Sequence, residues 1–441
     1  MPPEGEGFRK DEEGASSGRI LFRAAAAWSL ALSEKCGGRR KPLSEPTDSY
    51  RRGLPIKGMT RPPSLAILFG DEPGAAIDMS AHGPMPRSAW VFPTLAVLFF
   101  AIATGIGWEF TRSVSGLAYA VIVLVILFGT VFAAVHHADV IAERVGEPYG
   151  TLVLTMAVTV IEVAVIATIM LGENEVPTLA RDTVFAVVMI VCNGLVGVCI
   201  MSGGFRYREQ DIQATGASVY LSVLIVLATI TLVLPNYTLA TPGPFYSTVQ
   251  LAFVSVVTII LYGVFLYIQT MRHRDYFVGG NDEGEAHPVP NRMLWTSVAL
   301  LLLALVGVVV LAKKFSVVID AAAIEIGAPP AFAGIVVALL ILLPESVAAV
   351  GAAKRDQLQR SINLALGSSL ATIGLTIPAV SVAVIILGKD LVLGLSPREM
   401  VLLAMTILIS MLTLGNGRTN ILFGLVHVLV FAVFLFMAFV P

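Results

Sequence analysis

From Trp90 to the C-terminus the sequence is a succession of apolar runs, most of them close to the ~20 residues that an α-helix needs to cross a bilayer. No other feature restricts the fold of this chain as strongly. Unbroken apolar runs of this length predict spanning helices. Eleven are expected, with cores near 90–109, 116–137, 150–171, 184–202, 216–235, 247–270, 294–312, 331–353, 361–387, 398–414 and 419–440. The ninth is long and contains Pro378, so a kink or break is expected there. Trp90, Trp108 and Trp295 fall at run ends, where aromatic rings favour the headgroup region. The chain is therefore expected to be an all-α, polytopic membrane protein. Composition agrees: of 441 residues 56% are hydrophobic and 14% charged, whereas a soluble domain is about a quarter charged.

Residues 1–88 differ from the rest. They are rich in Gly, Pro, Ser, Arg and Glu and cannot bury enough apolar surface to offset ordering entropy. They are expected to form a disordered tail. The apolar patch at 20–32 is Ala-rich and interrupted by Arg23, unlike a signal-peptide core. Met79 leads directly into the first apolar run, so a functional start near Met79, with the preceding segment a start-site artefact, is a second expectation. The remaining chain divides into a first transmembrane half (89–270), an acidic loop (271–293) and a second half (294–441). That loop carries Asp282, Glu283 and Glu285 between Arg272, Arg274 and Arg292. It reads either as a solvated hinge or as a cation-attracting or regulatory segment.

The net charge of -2 offers no basic face for a nucleic acid. Cys36, Cys192 and Cys199 show no metal-ligand spacing and are expected to be unpaired. Loops after even-numbered helices hold Arg144, Arg206, Arg208, Arg272, Arg274, Arg292, Lys354, Arg355, Arg360 and Arg418. The opposite set holds Arg112, Arg181, Lys313, Lys314, Lys389 and Arg398. The richer set belongs in the cytoplasm, which places the N-terminus inside and the C-terminus outside a bacterial inner membrane.

Two carboxylates interrupt the apolar runs. Glu162 follows Gly150, and Glu345 follows Gly334, after eleven or so almost wholly apolar residues. Each therefore sits about 16–18 Å along its helix, near the midplane of a core about 30 Å thick. Acidic residues at that depth are costly and mark ion or proton pathways. Five crossings separate the third and eighth helices, so the two run in opposite directions. Each is followed by a helix with small and polar residues, Cys192-Asn193-Gly194 in one half and Gly367-Ser368-Ser369-Leu370-Ala371-Thr372 in the other. Two inverted-topology repeats meeting at a midplane site are a mark of secondary transporters.

The chemistry suits a hard cation. Calcium takes about six to eight oxygens. Glu162 and Glu345 would be the metal-binding carboxylates, with further oxygens from Thr155, Thr159, Asn193, Ser368 and Ser369. For Thr155 a hydroxyl bonded back to its own helix is the alternative. Pro344 frees a backbone carbonyl one turn earlier, which can also face the ion. His137, Asp139 and Glu143 close the second helix, and Asp320 and Glu325 precede the eighth. These five read as opposite access vestibules, or as helix ends surfacing at the headgroups. His427 reads as a packed residue rather than a ligand.

These residues resemble the calcium/cation exchanger superfamily, specifically its bacterial calcium/proton antiporter branch (the ChaA type). The likeness rests on residues 136–150 leading to Thr159-Val160-Ile161-Glu162, and on Leu343-Pro344-Glu345 leading to Leu364-Ala365-Leu366-Gly367-Ser368-Ser369. It covers residues 85–441. It implies one essential acidic residue per repeat, at Glu162 and Glu345, and small polar partners at Asn193, Ser368 and Ser369. Many members have Gly-Asn before the first acidic residue, where this chain has Thr159-Val160-Ile161. Fewer oxygens then surround the ion, which admits sodium or potassium as alternative substrates.

The function expected is exchange of cytoplasmic calcium for protons by alternating access, with sodium/proton or potassium/proton antiport as the alternative. The partners expected are the cation, protons and the lipid bilayer, with no cofactor. A passive channel is disfavoured by two inverted halves in one chain. Enzyme motifs such as H-E-x-x-H, a P-loop or G-x-S-x-G are not found. Single cysteines introduced near Arg206 and near Lys313, in a background without native cysteines, test the orientation. Labelling from outside intact cells should mark only the Lys313 side; the reverse pattern overturns the assignment.

Overall fold

The structure is a computed structural model and describes residues 85–146, 149–170, 176–277, 289–329 and 331–440. The tail before residue 85, including Cys36 and Met79, and the acidic run at 278–288 lie outside the described residues. Eleven helices are long and apolar enough to cross a membrane. They are α1 (Arg87–Gly105), α2 (Val114–Val145), α3 (Leu152–Met170), α4 (Leu179–Tyr207), α5 (Ala214–Tyr237), α6 (Thr248–Arg272), α7 (Asn291–Ile326), α8 (Ala331–Ala353), α9 (Leu358–Leu387), α10 (Pro397–Leu414) and α11 (Ile421–Phe439).

Two helices are longer than their apolar cores suggest. α2 has 32 residues and α7 has 36. At 1.5 Å per residue they measure about 48 and 54 Å, well beyond a core about 30 Å thick. Lys313, Lys314, Asp320 and Glu325, expected between helices seven and eight, all lie within α7. The reason is that charged side chains do not by themselves stop a helix; they end only the apolar run. Lys314 reaches Glu109 after α1, with Nζ 3.7 Å from Oε1. α7 ends where Gly327 adopts a left-handed cap.

α2 and α7 pack along one another, flanked by α1 and α3. His137 of α2 is fully buried, and its Nε2 lies 3.0 Å from the Ala89 carbonyl of α1. Arg144 Nη2 donates to Asn291 Oδ1 at the start of α7, at 3.0 Å. A second group forms around α4, the most enclosed span, which packs against α8 on one side and α11 on the other. α4 and α11 meet backbone to backbone. A Cβ on Gly197 would lie 3.0 Å from the Gly424 carbonyl and 2.9 Å from Val428. Small residues at such a crossing let the dispersion contacts of two backbones replace those with lipid.

Both repeats share a local departure from α-helix. α4 contains a π-helical turn at Ile190–Leu195, and α9 contains one at Thr372–Thr376. α9 is not broken at Pro378. The π turn directly precedes the proline and opens the backbone where its ring would otherwise meet a carbonyl one turn back. A two-stranded antiparallel ribbon, β1 (Glu209–Asp211) with β2 (Arg418–Asn420), pairs Gln210 with Thr419 and ties the end of α4 to the start of α11. Cys192 and Cys199 are buried free thiols.

The close crossing gives a test. Gly197→Ala should lower thermostability by about 1–3 kcal/mol through overpacking. Gly263→Ala, where no atom lies within 4 Å of the new Cβ, should not. Thermal melting of the detergent-purified protein compares them.

Candidate ion-binding site

The enclosing helices bring one carboxylate from each repeat into one region. Glu162 of α3 is 1% exposed. Thr372, in the π turn of α9 and thus in the opposite repeat, donates its hydroxyl to Glu162 Oε2 at 2.9 Å. The other oxygen, Oε1, has no hydrogen-bond partner. Thr376 lies one turn further along α9, beside the same carboxylate. Its hydroxyl is fully buried and faces Glu162 without completing a well-formed hydrogen bond. Glu345 of α8 is half-buried, with Oε2 closed to solvent and unpartnered. It is within electrostatic reach of both Glu162 and Asp139.

Buried polar atoms without partners are uncommon in folded proteins, because each carries an uncompensated desolvation cost. Here three such oxygens, two carboxylate and one hydroxyl, belong to two carboxylates and a threonine drawn from both repeats. Among the described residues no three His, Cys, Asp or Glu side chains lie close enough to hold a metal ion. A cation bound here would therefore need hydroxyl and carbonyl oxygens besides the two carboxylates. Pro344 lies inside α8, so the Leu340 carbonyl receives no helical N–H and is free to contribute.

The other expected ligands are placed variously. Thr159 is buried, but its hydroxyl donates to the Thr155 carbonyl at 2.9 Å. Thr155 faces Tyr262 of α6 and lines an apolar recess with Leu152, Met156 and Leu375. Asn193 sits in the π turn of α4, and its amide is engaged by Thr406 and His427 rather than by either carboxylate. Ser369 is fully buried with an unpartnered hydroxyl, and Ser368 is half-buried. Of the five vestibule candidates, Asp139 is half-buried on α2 and interacts with Glu143 as well as Glu345. Glu143 is exposed at the end of α2. His137 instead ties α2 to α1. Asp320 is half-buried and Glu325 exposed, both in the last turns of α7.

Sequence reasoning did not single out Thr372 or Thr376 as partners of Glu162. The available signal was periodicity. The two threonines lie four residues apart in an otherwise apolar helix, one and two turns beyond Ser368 and Ser369, and so share a face.

The chain matches the sodium/calcium exchanger protein family over residues 115–271 and 296–440, one segment in each half. The chain belongs to that family. Among curated proteins, the putative ionic transporter y4hA of Sinorhizobium fredii is 43% identical over 369 residues, covering 82% of this chain and 98% of that protein. The sodium-potassium/proton antiporter ChaA of Escherichia coli is 35% identical over 361 residues, covering 80% and 96%. Among solved structures, native YfkE superposes with a TM-score of 0.61 at 15% identity, covering 80% of this chain and all of that one. The H+/Ca2+ exchanger CAX gives 0.60 at 15% identity, covering 79% and 88%. At this identity the structural likeness shows the fold alone. Membership in the exchanger family makes the chain a multi-pass transporter of cations rather than an enzyme.

The Thr372 hydrogen bond and the Thr376 hydroxyl should separate in mutants. Thr372→Val should destabilise the protein by about 1–3 kcal/mol, the cost of an unmade buried bond to a carboxylate. Thr376→Val removes a hydroxyl that faces the same carboxylate without a well-formed bond and should cost less than Thr372→Val. Thermal melting of both variants reads the difference.

Proposed function

We propose that this chain exchanges cytoplasmic calcium for protons across the bacterial inner membrane by alternating access, with its N-terminus in the cytoplasm. The observation that carries the reading is the electrostatic proximity of Glu162 and Glu345 from opposite repeats, each with a buried carboxylate oxygen left without a well-formed hydrogen bond. In low dielectric such a carboxylate needs either a proton or a cation. Two carboxylates carry the charge that one divalent cation neutralises, and two protons do the same.

The steps follow from that balance. With the site open to the cytoplasm, a cation displaces the protons held by Glu162 and Glu345 and takes up their oxygens. Thr372 and Thr376 supply hydroxyl oxygens, and the Leu340 carbonyl freed by Pro344 supplies another. The neutral, loaded site can then change sides. Outside, protons displace the cation, and the protonated site returns. An empty, ionised site is held back by its desolvation cost, so exchange prevails over leak. Asp139, between exposed Glu143 and half-buried Glu345, would offer a carboxylate on the way in.

A second reading, sodium or potassium for protons, is favoured by the name of the E. coli relative and by the lack of a third acidic ligand among the described residues. Flux into inside-out vesicles against an imposed pH gradient, with calcium, sodium and potassium in turn, separates the two. Calcium-driven proton release supports the first reading, and a response to monovalent ions alone replaces it with the second. Glu162→Gln and Glu345→Gln should each abolish proton-coupled flux while leaving insertion intact, because Gln keeps the shape but cannot ionise. Apparent cation affinity of the wild type should rise with pH, since deprotonated carboxylates are the binding form. Exchange persisting in either Gln variant, or affinity independent of pH, contradicts the proposal.

A further inference from the structure

Away from the two carboxylates, a second buried polar group is built around His427. This residue, on α11, is fully buried, as are Asn193 of α4 and Thr406 and Thr413 of α10. Asn193 Nδ2 donates to Thr406 Oγ1 at 2.8 Å. Thr406 Oγ1 in turn donates to Met189 Sδ at 3.4 Å. With the amide so turned, Asn193 Oδ1 accepts from His427 Nδ1 at 3.2 Å, and the ring carries its proton there. The opposite nitrogen, Nε2, then accepts from the Thr413 hydroxyl at 3.0 Å. Every polar side-chain atom of His427, Asn193, Thr406 and Thr413 has a hydrogen-bond partner, and each bond fixes the direction of the next.

The position of this network matters more than its strength. Asn193 lies inside the π-helical turn Ile190–Leu195 of α4. The Cys192 carbonyl of the same turn also faces the His427 ring. On its other side the turn packs against α8, which carries Glu345, and against α9, which carries Thr372. π turns open the backbone and are held only where the surroundings compensate them. Here α11 presses on α4 through Gly197 and Gly424, which places His427 directly against the turn.

We infer that His427 is a positioning residue for transport: by bonding Asn193 it holds the π turn of α4 in the register that supports α8 and its Glu345. Asn193 acts through this latch rather than as a ligand. The inference rests on the exchange reading only for its assay, and the cation used is whichever the wild type moves. A wild type that moves none refutes that reading, whereas variants compared with an active wild type test the latch.

Three substitutions in the full chain separate the two ring nitrogens. His427→Asn places an amide where Nδ1 lies and keeps the bond to Asn193. His427→Gln reaches instead to Thr413, and His427→Leu bonds neither. In inside-out vesicles His427→Asn should keep apparent cation affinity within about twofold of wild type. His427→Gln and His427→Leu should weaken it about tenfold (about 1.4 kcal/mol), with maximal rate changed less. The losses of Asn193→Leu and His427→Leu should be less than additive in the double variant, because either single variant already removes the bond between the two side chains. If His427→Leu does not insert, the contrast between Asn and Gln decides. Equal affinities in the Asn and Gln variants, losses of thermostability without a change in affinity, or additive losses in the double variant would each overturn the latch.

Discussion

A carboxylate deep in a bilayer is tolerated only while something neutralises or bonds it, and the architecture of this chain follows from holding two of them. Glu162 is closed off from solvent, with one oxygen bonded to Thr372 and one bonded to nothing. The bond crosses from one repeat to the other, so the first repeat alone does not complete the surroundings of its acidic residue. That interdependence requires α3, α8 and α9 to meet closely, and α4 to be buried almost throughout its length. An unpartnered buried oxygen destabilises the protein. Its presence in both carboxylates, and in Thr376 beside one of them, is what supports the proposal that an ion or proton supplies the missing partner there.

The π-helical turns of α4 and α9, two of the four among the described residues, are the second structural element of this arrangement. Each falls in the helix that follows an acidic helix, so they occupy matching places in the inverted repeats. They are used differently. The turn in α9 delivers Thr372 to Glu162. The turn in α4 presents Asn193 away from the carboxylates, toward Thr406 and His427. Symmetry of backbone is thus combined with asymmetry of side chains. In the proposed site, the turn of α9 would then contribute hydroxyl oxygens directly, while the turn of α4 is braced from behind.

Much of this is written in the sequence because membrane proteins obey a severe rule: apolar length sets the spans and isolated carboxylates stand out against them. The eleven helices, and the placing of Glu162 and Glu345 within two of them, could be read that way. What could not be read depends on rotation and contact. A hydroxyl or amide in a helix can face the ion, its own backbone or a neighbour, and residue type does not distinguish these. Thr159 bonds its own helix, Asn193 faces α10 and α11, and Thr372 faces the carboxylate. Likewise, the end of an apolar run is not the end of a helix, so Lys313 and Asp320 lie within α7. His427 looked like a packing residue because its partners lie on two other helices, one 14 and the other 234 residues away in sequence.

The central claim is that the cation and protons compete for the same two carboxylates. Its most direct test is calorimetric titration of the purified protein with the transported cation, repeated in buffers of different ionisation enthalpy, which counts the protons exchanged on binding. Binding near neutral pH should release protons, and the release should fall when either Glu162 or Glu345 is replaced by Gln. Cation binding with no proton release in the wild type would contradict the account.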